Sequence, residues 1–162
     1  METVCSDALT AIRDMAARSF DMVLTDVPYW KMDTARRSTG AYKKTGETAR
    51  PNKLSALCRF NEETCPAKAD WLQKMREIFT LCHSLLKDKG SLVTFIGDMY
   101  YDNAYHCLSA ELAQELQKIP GLIWKTNLIW YGVSKKLHLY GYQYSYIPSM
   151  IHQNILVFRK EM

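Results

Sequence analysis

An apolar strand that ends abruptly in an acid, a proline and aromatic residues most constrains how this chain can fold. The run from Met22 to Leu24 is typical of a buried strand, and Asp26, Pro28 and Tyr29 follow directly. In open α/β sheets, ligands bind in the crevice beyond the carboxyl ends of the strands. Pro28 restricts its own backbone and favours an extended Val27, whose carbonyl would leave the strand without a ladder partner. The pattern therefore predicts a strand that delivers polar groups to a binding crevice.

These groups suit the binding of an amino group on a planar base. The carboxylate of Asp26 and the carbonyl of Val27 are hydrogen-bond acceptors, which fit the two hydrogens of an NH2 group. The ring of Tyr29 offers a face on which such a base could stack. The competing interpretation is an ordinary turn after a strand, and four residues alone do not decide between the two.

The stretch Asp26-Val27-Pro28-Tyr29 resembles motif IV of the amino-methyltransferases, usually written Asp/Asn/Ser-Pro-Pro-Tyr/Phe/Trp. These S-adenosylmethionine-dependent enzymes methylate adenine N6 or cytosine N4 in DNA. Val27 stands where the first proline usually is. Residues 5–29 resemble the opening of those members whose catalytic half comes first, and residues 124–130 with 142–160 resemble the family's closing strand pair, with Gln153 in place of the usual Glu. The resemblance covers nearly the whole chain.

The resemblance implies a partial Rossmann-like methyltransferase fold and a set of site residues. Trp30 would add a second stacking ring beside Tyr29, and Asp7 together with Asp26 would contact S-adenosylmethionine. An Asp at position 26 favours adenine N6 over cytosine N4 as the target. The implied catalytic residues are those of the motif itself, Asp26, Val27, Pro28 and Tyr29.

Hydrophobic periodicity predicts an α/β fold, in which a mixed sheet has flanking helices and ends in an antiparallel strand pair. A second helix begins near Pro66 and ends before Gly90, and its predicted buried stripe is Trp71, Met75, Ile78, Cys82 and Leu85. The other predicted elements are helices at 6–18 and about 102–118, and strands at 20–25, 91–97, 122–131 and 153–159.

Composition indicates one globular domain over residues 1–162. The chain is 48% hydrophobic and 23% charged, enough to form one sizeable core. Its five cysteines form no Cys-x-x-Cys pair, and their odd number argues against a secreted disulfide framework, so we expect reduced thiols and a cytoplasmic location. The sequence shows neither an export signal nor an apolar run long enough for a membrane span. The histidines and cysteines lack metal-ligand spacing, so no metal site is expected.

Positive charge is concentrated in the polar segment 31–65, which we expect to be a basic loop. Residues 31–60 hold eight basic and two acidic residues, a net charge of +6, whereas the whole chain carries +4. The competing interpretation is that these charged residues are simply exposed to solvent and bind nothing. The position of the segment directly after Trp30 favours contacts with DNA phosphates. The segment 130–146 interleaves lysines with aromatics; its tyrosines at 140, 142, 144 and 146 could stack on bases or form one face of a strand. The candidate DNA-contacting residues are Arg36, Arg37, Lys43, Lys44, Lys135 and Lys136.

The glycines limit what the chain can do alone. In the family, a Phe-x-Gly-x-Gly loop holds the methyl donor, and the seven glycines here contain no Gly-x-Gly pair. Strand 20–25 would then be an unpaired edge of the sheet. Three hypotheses follow: a catalytic half completed by a protein partner or second copy, a catalytically silent DNA-binding remnant or subunit, and a methyltransferase of another amine, such as RNA guanine or protein glutamine. The basic loop favours DNA over the third.

Overall fold

A four-stranded mixed sheet with helices on one face forms the centre of the fold. The computed structural model describes residues 3–30, 67–101, 104–133, 139–142, 145–148 and 150–161 of the chain. In chain order its elements are α1 (Ala8–Arg13), β1 (Phe20–Asp26), α2 (Lys68–Leu85), β2 (Leu86–Ile96), β3 (Met99–Tyr101), β4 (Ala104–His106), α3 (Leu108–Leu116), β5 (Leu122–Tyr131), β6 (Leu139–Tyr142), β7 (Ser145–Pro148) and β8 (His152–Lys160).

The sheet has the strand order β1-β2-β8-β5, with β1 parallel to β2 and β8 antiparallel to both of its neighbours. This arrangement confirms the predicted α/β class, the mixed sheet and the antiparallel pairing of the two closing strands. Strands β1, β2 and β5 run in the same direction, so their carboxyl ends reach the same edge of the sheet. Among the described strands, β1 has a single neighbour, as expected for an edge.

The core lies between the sheet and helices α2 and α3. Alternate residues of β2 and β8 are buried, including Leu92, Ile96, Leu156 and Phe158. Helix α2 buries the stripe predicted for it, except that Phe79 is buried where Ile78 is only partly so. The fully or nearly fully buried side chains of the helices are Trp71, Met75, Phe79, Cys82, Leu85, Leu108, Leu112 and Leu116.

Three predicted boundaries are wrong, each for a local reason. Helix α1 is confined to Ala8–Arg13 rather than 6–18, because the side chain of Asp7 caps its start and the chain turns after Arg13. Strand β2 begins at Leu86 rather than at the predicted residue 91, so Gly90 lies inside the strand and not between a helix and a strand. A Cβ at this position would approach the carbonyl oxygens of Lys87 at 2.9 Å and Asp21 at 3.2 Å, so the glycine allows β1 and β2 to come together.

The third difference precedes α3. The sequence predicts a helix from about residue 102, but Ala104–His106 pairs with Met99–Tyr101 as a short antiparallel hairpin, and the helix begins at Leu108. The side chain of Asp98 accepts a hydrogen bond from the backbone N–H of Ser109 at 2.8 Å, which fixes where the helix starts.

The tyrosine-rich stretch also differs from a single strand. Leu139–Tyr142 and Ser145–Pro148 form two antiparallel strands, so Tyr140 and Tyr142 lie in one arm of a hairpin and Tyr146 in the other. The predicted basic loop lies outside the described residues. None of the described helices is long and apolar enough to cross a membrane.

Candidate amine-binding site at the end of strand β1

Asp26 is the last residue of β1 and lies beside β2 at the predicted edge of the sheet. It is in register with Phe95, and the next residue, Val27, donates a backbone hydrogen bond to the Phe95 carbonyl at 3.4 Å. Val27 is buried, so the chain turns into the core directly after the acid. The backbone of Asp26 is thereby fixed by the strand on one side and by a buried residue on the other. Partial burial raises the pKa of Asp26 above its ordinary value.

The turn after Asp26 is anchored in the core by two tryptophans. The indole N–H of Trp71, on α2, donates a hydrogen bond to the carbonyl of Pro28 at 2.9 Å. Trp30 is only 8% exposed and contacts the rings of Tyr101 and His106 edge-on, with centroids 5.4 and 5.1 Å apart. The prediction that Trp30 offers a stacking face for a base is therefore wrong, because its ring packs in the protein interior. The Pro28 carbonyl keeps one lone pair for a ligand.

Tyr29 is half-buried and is held from two sides. The side-chain amide of Gln153, at the start of β8, donates a hydrogen bond to its hydroxyl oxygen. Gly97, just beyond β2, lies against the ring, and a Cβ at that position would be 3.2 Å from both Cε2 and the hydroxyl oxygen. Burial and, next, the charge of Asp26 raise the pKa of Tyr29, so the phenol stays protonated at neutral pH. These contacts fix the ring beside the Asp26 carboxylate.

Asp98 organises the neighbouring carboxyl end of β2. Its carboxylate accepts hydrogen bonds from the Tyr105 hydroxyl at 2.8 Å and from the Ser109 backbone at 2.8 Å, with the Cys107 sulfur at 3.6 Å. Burial and the hydrogen bond to Asp98 raise the pKa of Tyr105 to about 12. Sequence reasoning missed Asp98; the signal was an acid directly after the Gly97 that ends an apolar strand.

An exposed aromatic side chain lies near the same edge. Trp130, near the end of β5, is paired in register with Gln153 and packs edge-on against Phe95 at 5.7 Å. The edge therefore combines one carboxylate, one fixed tyrosine ring and one exposed indole. This set of groups can accept hydrogen bonds from an amine and contact a planar base.

The other predicted site residues are not brought together here. Asp7 caps α1, accepting hydrogen bonds from the backbone N–H groups of Leu9 at 3.1 Å and Thr10 at 3.4 Å. No group of three or more metal-ligating side chains occurs among the residues that the structure describes. The candidate DNA contacts Arg36, Arg37, Lys43, Lys44, Lys135 and Lys136 lie outside those residues.

Comparison with known proteins identifies related sequences over nearly the whole chain. A family model described as DNA methylase (N6_N4_Mtase) matches residues 20–161. The Type II methyltransferase M.HpaI of Haemophilus parainfluenzae is 25% identical over 160 residues, which make up 97% of this chain and 38% of that protein.

Several solved structures share the fold. TTHA0409 of Thermus thermophilus, described as a DNA modification methylase, has a TM-score of 0.63 and 19% identity, over 97% of this chain and 52% of that one. Its complex with S-adenosyl-L-methionine gives a TM-score of 0.62 at 18% identity, over 96% and 51%. The cytosine-N4-specific PvuII DNA methyltransferase gives 0.62 at 14% identity, over 95% and 47%. The Rossmann-like methyltransferase fold is confirmed, and this chain spans about half the length of these solved relatives.

Proposed function

Because this chain belongs to the DNA methylase family, we propose that it provides the catalytic half of an S-adenosylmethionine-dependent enzyme that methylates an exocyclic amine in DNA. The observation that carries the proposal is that the Asp26 carboxylate lies close enough to the fixed ring of Tyr29, at the carboxyl end of β1, for its charge to add to burial in raising the pKa of that phenol. This is where an open α/β sheet binds its ligands.

The residues of the site would act by holding and orienting the amine. A target base turned out of the duplex would stack on Tyr29, and its NH2 group would donate hydrogen bonds to Asp26 and to the carbonyls of Val27 and Pro28. These acceptors direct the nitrogen lone pair away from the ring plane, so positioning supplies most of the rate enhancement. S-adenosylmethionine, when bound, would supply an electrophilic methyl group. Asp26 need not be a strong base, since the amine can lose its proton after attack.

Adenine N6 is the target that we propose, with cytosine N4 as the second possibility. The support is the Asp at position 26, which in this family favours adenine. A fold shared with the cytosine-N4-specific PvuII enzyme does not distinguish the two targets. Digestion of methylated DNA to nucleosides tests this directly. N6-methyladenine is the expected product, and N4-methylcytosine alone would contradict the assignment.

The part of the fold that holds the methyl donor would come from outside these 162 residues. The seven glycines contain no Gly-x-Gly pair, so these 162 residues lack the loop that would hold the methyl donor, and Asp7 and Asp26 are the only cofactor contacts we propose within them. We propose that a protein partner or a second copy completes the cofactor site. A cytoplasmic location is part of the proposal, and so is a place in a restriction-modification system, because M.HpaI is named a Type II methyltransferase.

A catalytically inactive DNA-binding subunit is the second candidate function, favoured by the same lack of a glycine loop. The two candidate functions differ in the expected effect of Asp26→Ala on methyl transfer. In the catalytic half, this substitution abolishes labelled methyl transfer to DNA by the completed enzyme and leaves DNA affinity within about twofold. In a DNA-binding subunit, neither wild type nor variant supports transfer, and that result would refute the catalytic proposal.

A further inference from the structure

The short hairpin of β3 and β4 packs against the protein with one face and presents the other face to solvent. Residues directly opposite each other in an antiparallel pair lie on the same face, and the faces alternate along each strand. Tyr101 and His106 lie on the inner face, where both rings contact Trp30. Tyr100 and Tyr105 are opposite each other on the outer face, and they are 42% and 56% exposed. We call these two residues the tyrosine pair.

The hairpin that carries the tyrosine pair is held in place by hydrogen bonds. The hydroxyl of Tyr105 donates to Asp98 at 2.8 Å, and the same carboxylate accepts the backbone N–H of Ser109 at the start of α3. On the inner face, the ring of His106 lies between the Tyr101 carbonyl oxygen, 3.2 Å from Nε2, and the Lys68 ammonium group, 3.4 Å from Nδ1. Because the hairpin is already ordered, contact with a ligand would cost little conformational entropy.

The hairpin adjoins the candidate amine-binding site along the chain and through space. Gly97 lies against the ring of Tyr29, and β3 begins two residues later, at Met99. Trp30, on which the inner face packs, directly follows Tyr29 in the sequence. The tyrosine pair therefore lies at the same edge of the sheet as the carboxylate of Asp26.

We propose that the tyrosine pair is a stacking surface for an unpaired DNA base next to the one held at Asp26 and Tyr29. The proposal rests on the proposed function and extends it, because it assigns a second base contact outside the amine-binding residues. A base that is turned out of a duplex leaves neighbouring bases without a stacking contact. Exposed aromatic rings bind such bases with little dependence on their identity.

The charges around the tyrosine pair favour a base over a phosphate group. The carboxylate of Asp98 lies at the hydroxyl of Tyr105 and would repel a phosphate there, whereas an uncharged base meets no such repulsion. Lys68, which contacts the inner face, is paired with Glu111 at 2.7 Å. The solvent side of an antiparallel pair is usually polar, so two opposed aromatic rings on it indicate a surface for a planar partner.

The test compares two single-stranded DNA probes that carry the same number of phosphates: an oligothymidylate of about 12 nucleotides and an abasic strand of equal length. Fluorescence anisotropy with the full chain measures both affinities. Tyr100→Ser and Tyr105→Ser should each weaken oligothymidylate binding about fivefold or more, because a stacking contact is lost. Binding of the abasic strand should stay within about twofold, since it offers no base.

Phe20→Ser is the matched control. Phe20 is 42% exposed, as Tyr100 is, but it begins β1 at the opposite edge of the sheet, so neither affinity should change by more than about twofold. Tyr105→Phe keeps the ring and removes the hydrogen bond to Asp98, so it should retain most of the oligothymidylate affinity. Circular dichroism of each variant checks that the fold is intact.

The outcomes separate the tyrosine pair from the proposed function. Oligothymidylate affinity that both serine variants leave unchanged overturns the stacking surface, even where the completed enzyme methylates DNA. Equal losses for the two probes, equal losses in Tyr105→Phe and Tyr105→Ser, or no preference of the wild type for oligothymidylate would also overturn it. A loss confined to oligothymidylate supports the stacking surface even if no methyl group is transferred, and that result would refute only the proposed activity.

Discussion

Asp26 illustrates how a residue proposed for the site can cost stability. Burial raises its pKa above the ordinary value of 3.8, so the folded state binds a proton more tightly than the unfolded chain. The stabilisation linked to this proton is present below pH 3.8 and is lost as the pH rises through the folded pKa. At pH 7 the ionised carboxylate is therefore unfavourable in the fold.

Asp26→Ala should consequently reduce methyl transfer by the completed enzyme, by about 100-fold or more, without lowering thermal stability. The substitution removes a hydrogen-bond acceptor for the amine, and it also removes the cost of a partly desolvated charge. Thermal unfolding at pH 7 should give a Tm equal to or above that of the wild type. A clear fall in Tm would show that the carboxylate has a structural role instead.

Gln153 should affect base binding by holding the ring of Tyr29 in place. Gln153→Leu removes the donor to the phenol oxygen and should free the ring, reducing base stacking severalfold. Duplex DNA with 2-aminopurine at the target position reports this, because its fluorescence rises when the base leaves the stack. Gln153→Glu should retain most of the signal, since the phenol can donate to a carboxylate. DNA affinity should change by less than about twofold in both variants.

Two further variants test whether the base stacks on Tyr29 and whether the neighbouring residues position that ring. Gly97→Ala would place a methyl group 3.2 Å from the Tyr29 ring and should reduce the signal as Gln153→Leu does. Tyr29→Ala should remove it. If only Tyr29→Ala reduces the signal, the contacts of Gln153 and Gly97 are not needed to position the ring. If Tyr29→Ala also leaves the signal unchanged, the base does not stack on Tyr29 and the site is wrongly assigned.

The sequence predicts the position of Asp26 and Tyr29 because their signal is local: an apolar strand, then a proline. It does not predict the contacts that hold them. Trp71 reaches the Pro28 carbonyl across 43 residues of chain, and Gln153 reaches Tyr29 across 124. Local sequence places Trp30 beside the site and so assigns it to the base, whereas only the tertiary fold shows it in the core.

At the level of elements, Lys160 links the end of α2 to the sheet. Its buried ammonium group, on β8, donates hydrogen bonds to the carbonyls of Leu86 at 2.8 Å and His83 at 3.1 Å. A cation here also complements the negative end of the helix dipole. Because the substitution would leave buried carbonyls without a donor, Lys160→Met should lower the free energy of unfolding by about 1–3 kcal/mol.

Urea unfolding measures this loss, with Lys125→Met as the control. Lys125 forms an ion pair with Glu161 at the surface, at 2.7 Å, so its removal should have a much smaller effect. Equal losses in the two variants would contradict the structural role given to Lys160.

Elements with a long periodic pattern are the ones that the sequence predicts well. Helix α2 and strands β5 and β8 have this property, and their existence and pairing are confirmed. The sequence does not predict the β3–β4 hairpin, because each arm is three residues long, too short for a period to show. It also misplaces the start of β2, because Gly90 signals a helix end locally, whereas its actual role is to let β1 approach.

For the whole molecule, charge predicts salt-sensitive DNA binding. Residues 31–60 carry a net charge of +6, and cations that neutralise phosphates release counterions from DNA. Affinity for duplex DNA, measured by fluorescence anisotropy, should fall by at least tenfold between 50 and 200 mM salt, roughly as expected for several phosphate contacts. An affinity that stays constant over this range would show that the basic segment does not contact DNA phosphates.

The sequence also predicts that β1 is an edge within these 162 residues, and in the described strands it has one neighbour. It does not predict that one face of the sheet is uncovered in the described residues. Val93, Phe95, Ile155 and Val157 have the apolar character of strands buried on both sides, and only the position of α2 and α3 on one face shows that the other is uncovered in the described residues.

Methyl transfer after mixing tests the central claim most directly. Labelled S-adenosylmethionine and DNA would be incubated with this chain, with a protein that co-purifies with it, with both, and with both when the chain carries Asp26→Ala. The account predicts label in DNA only for the wild-type mixture, because the end of β1 holds the amine and the other half holds the methyl donor. Transfer by the chain alone, or by the Asp26→Ala mixture at the wild-type rate, would contradict it.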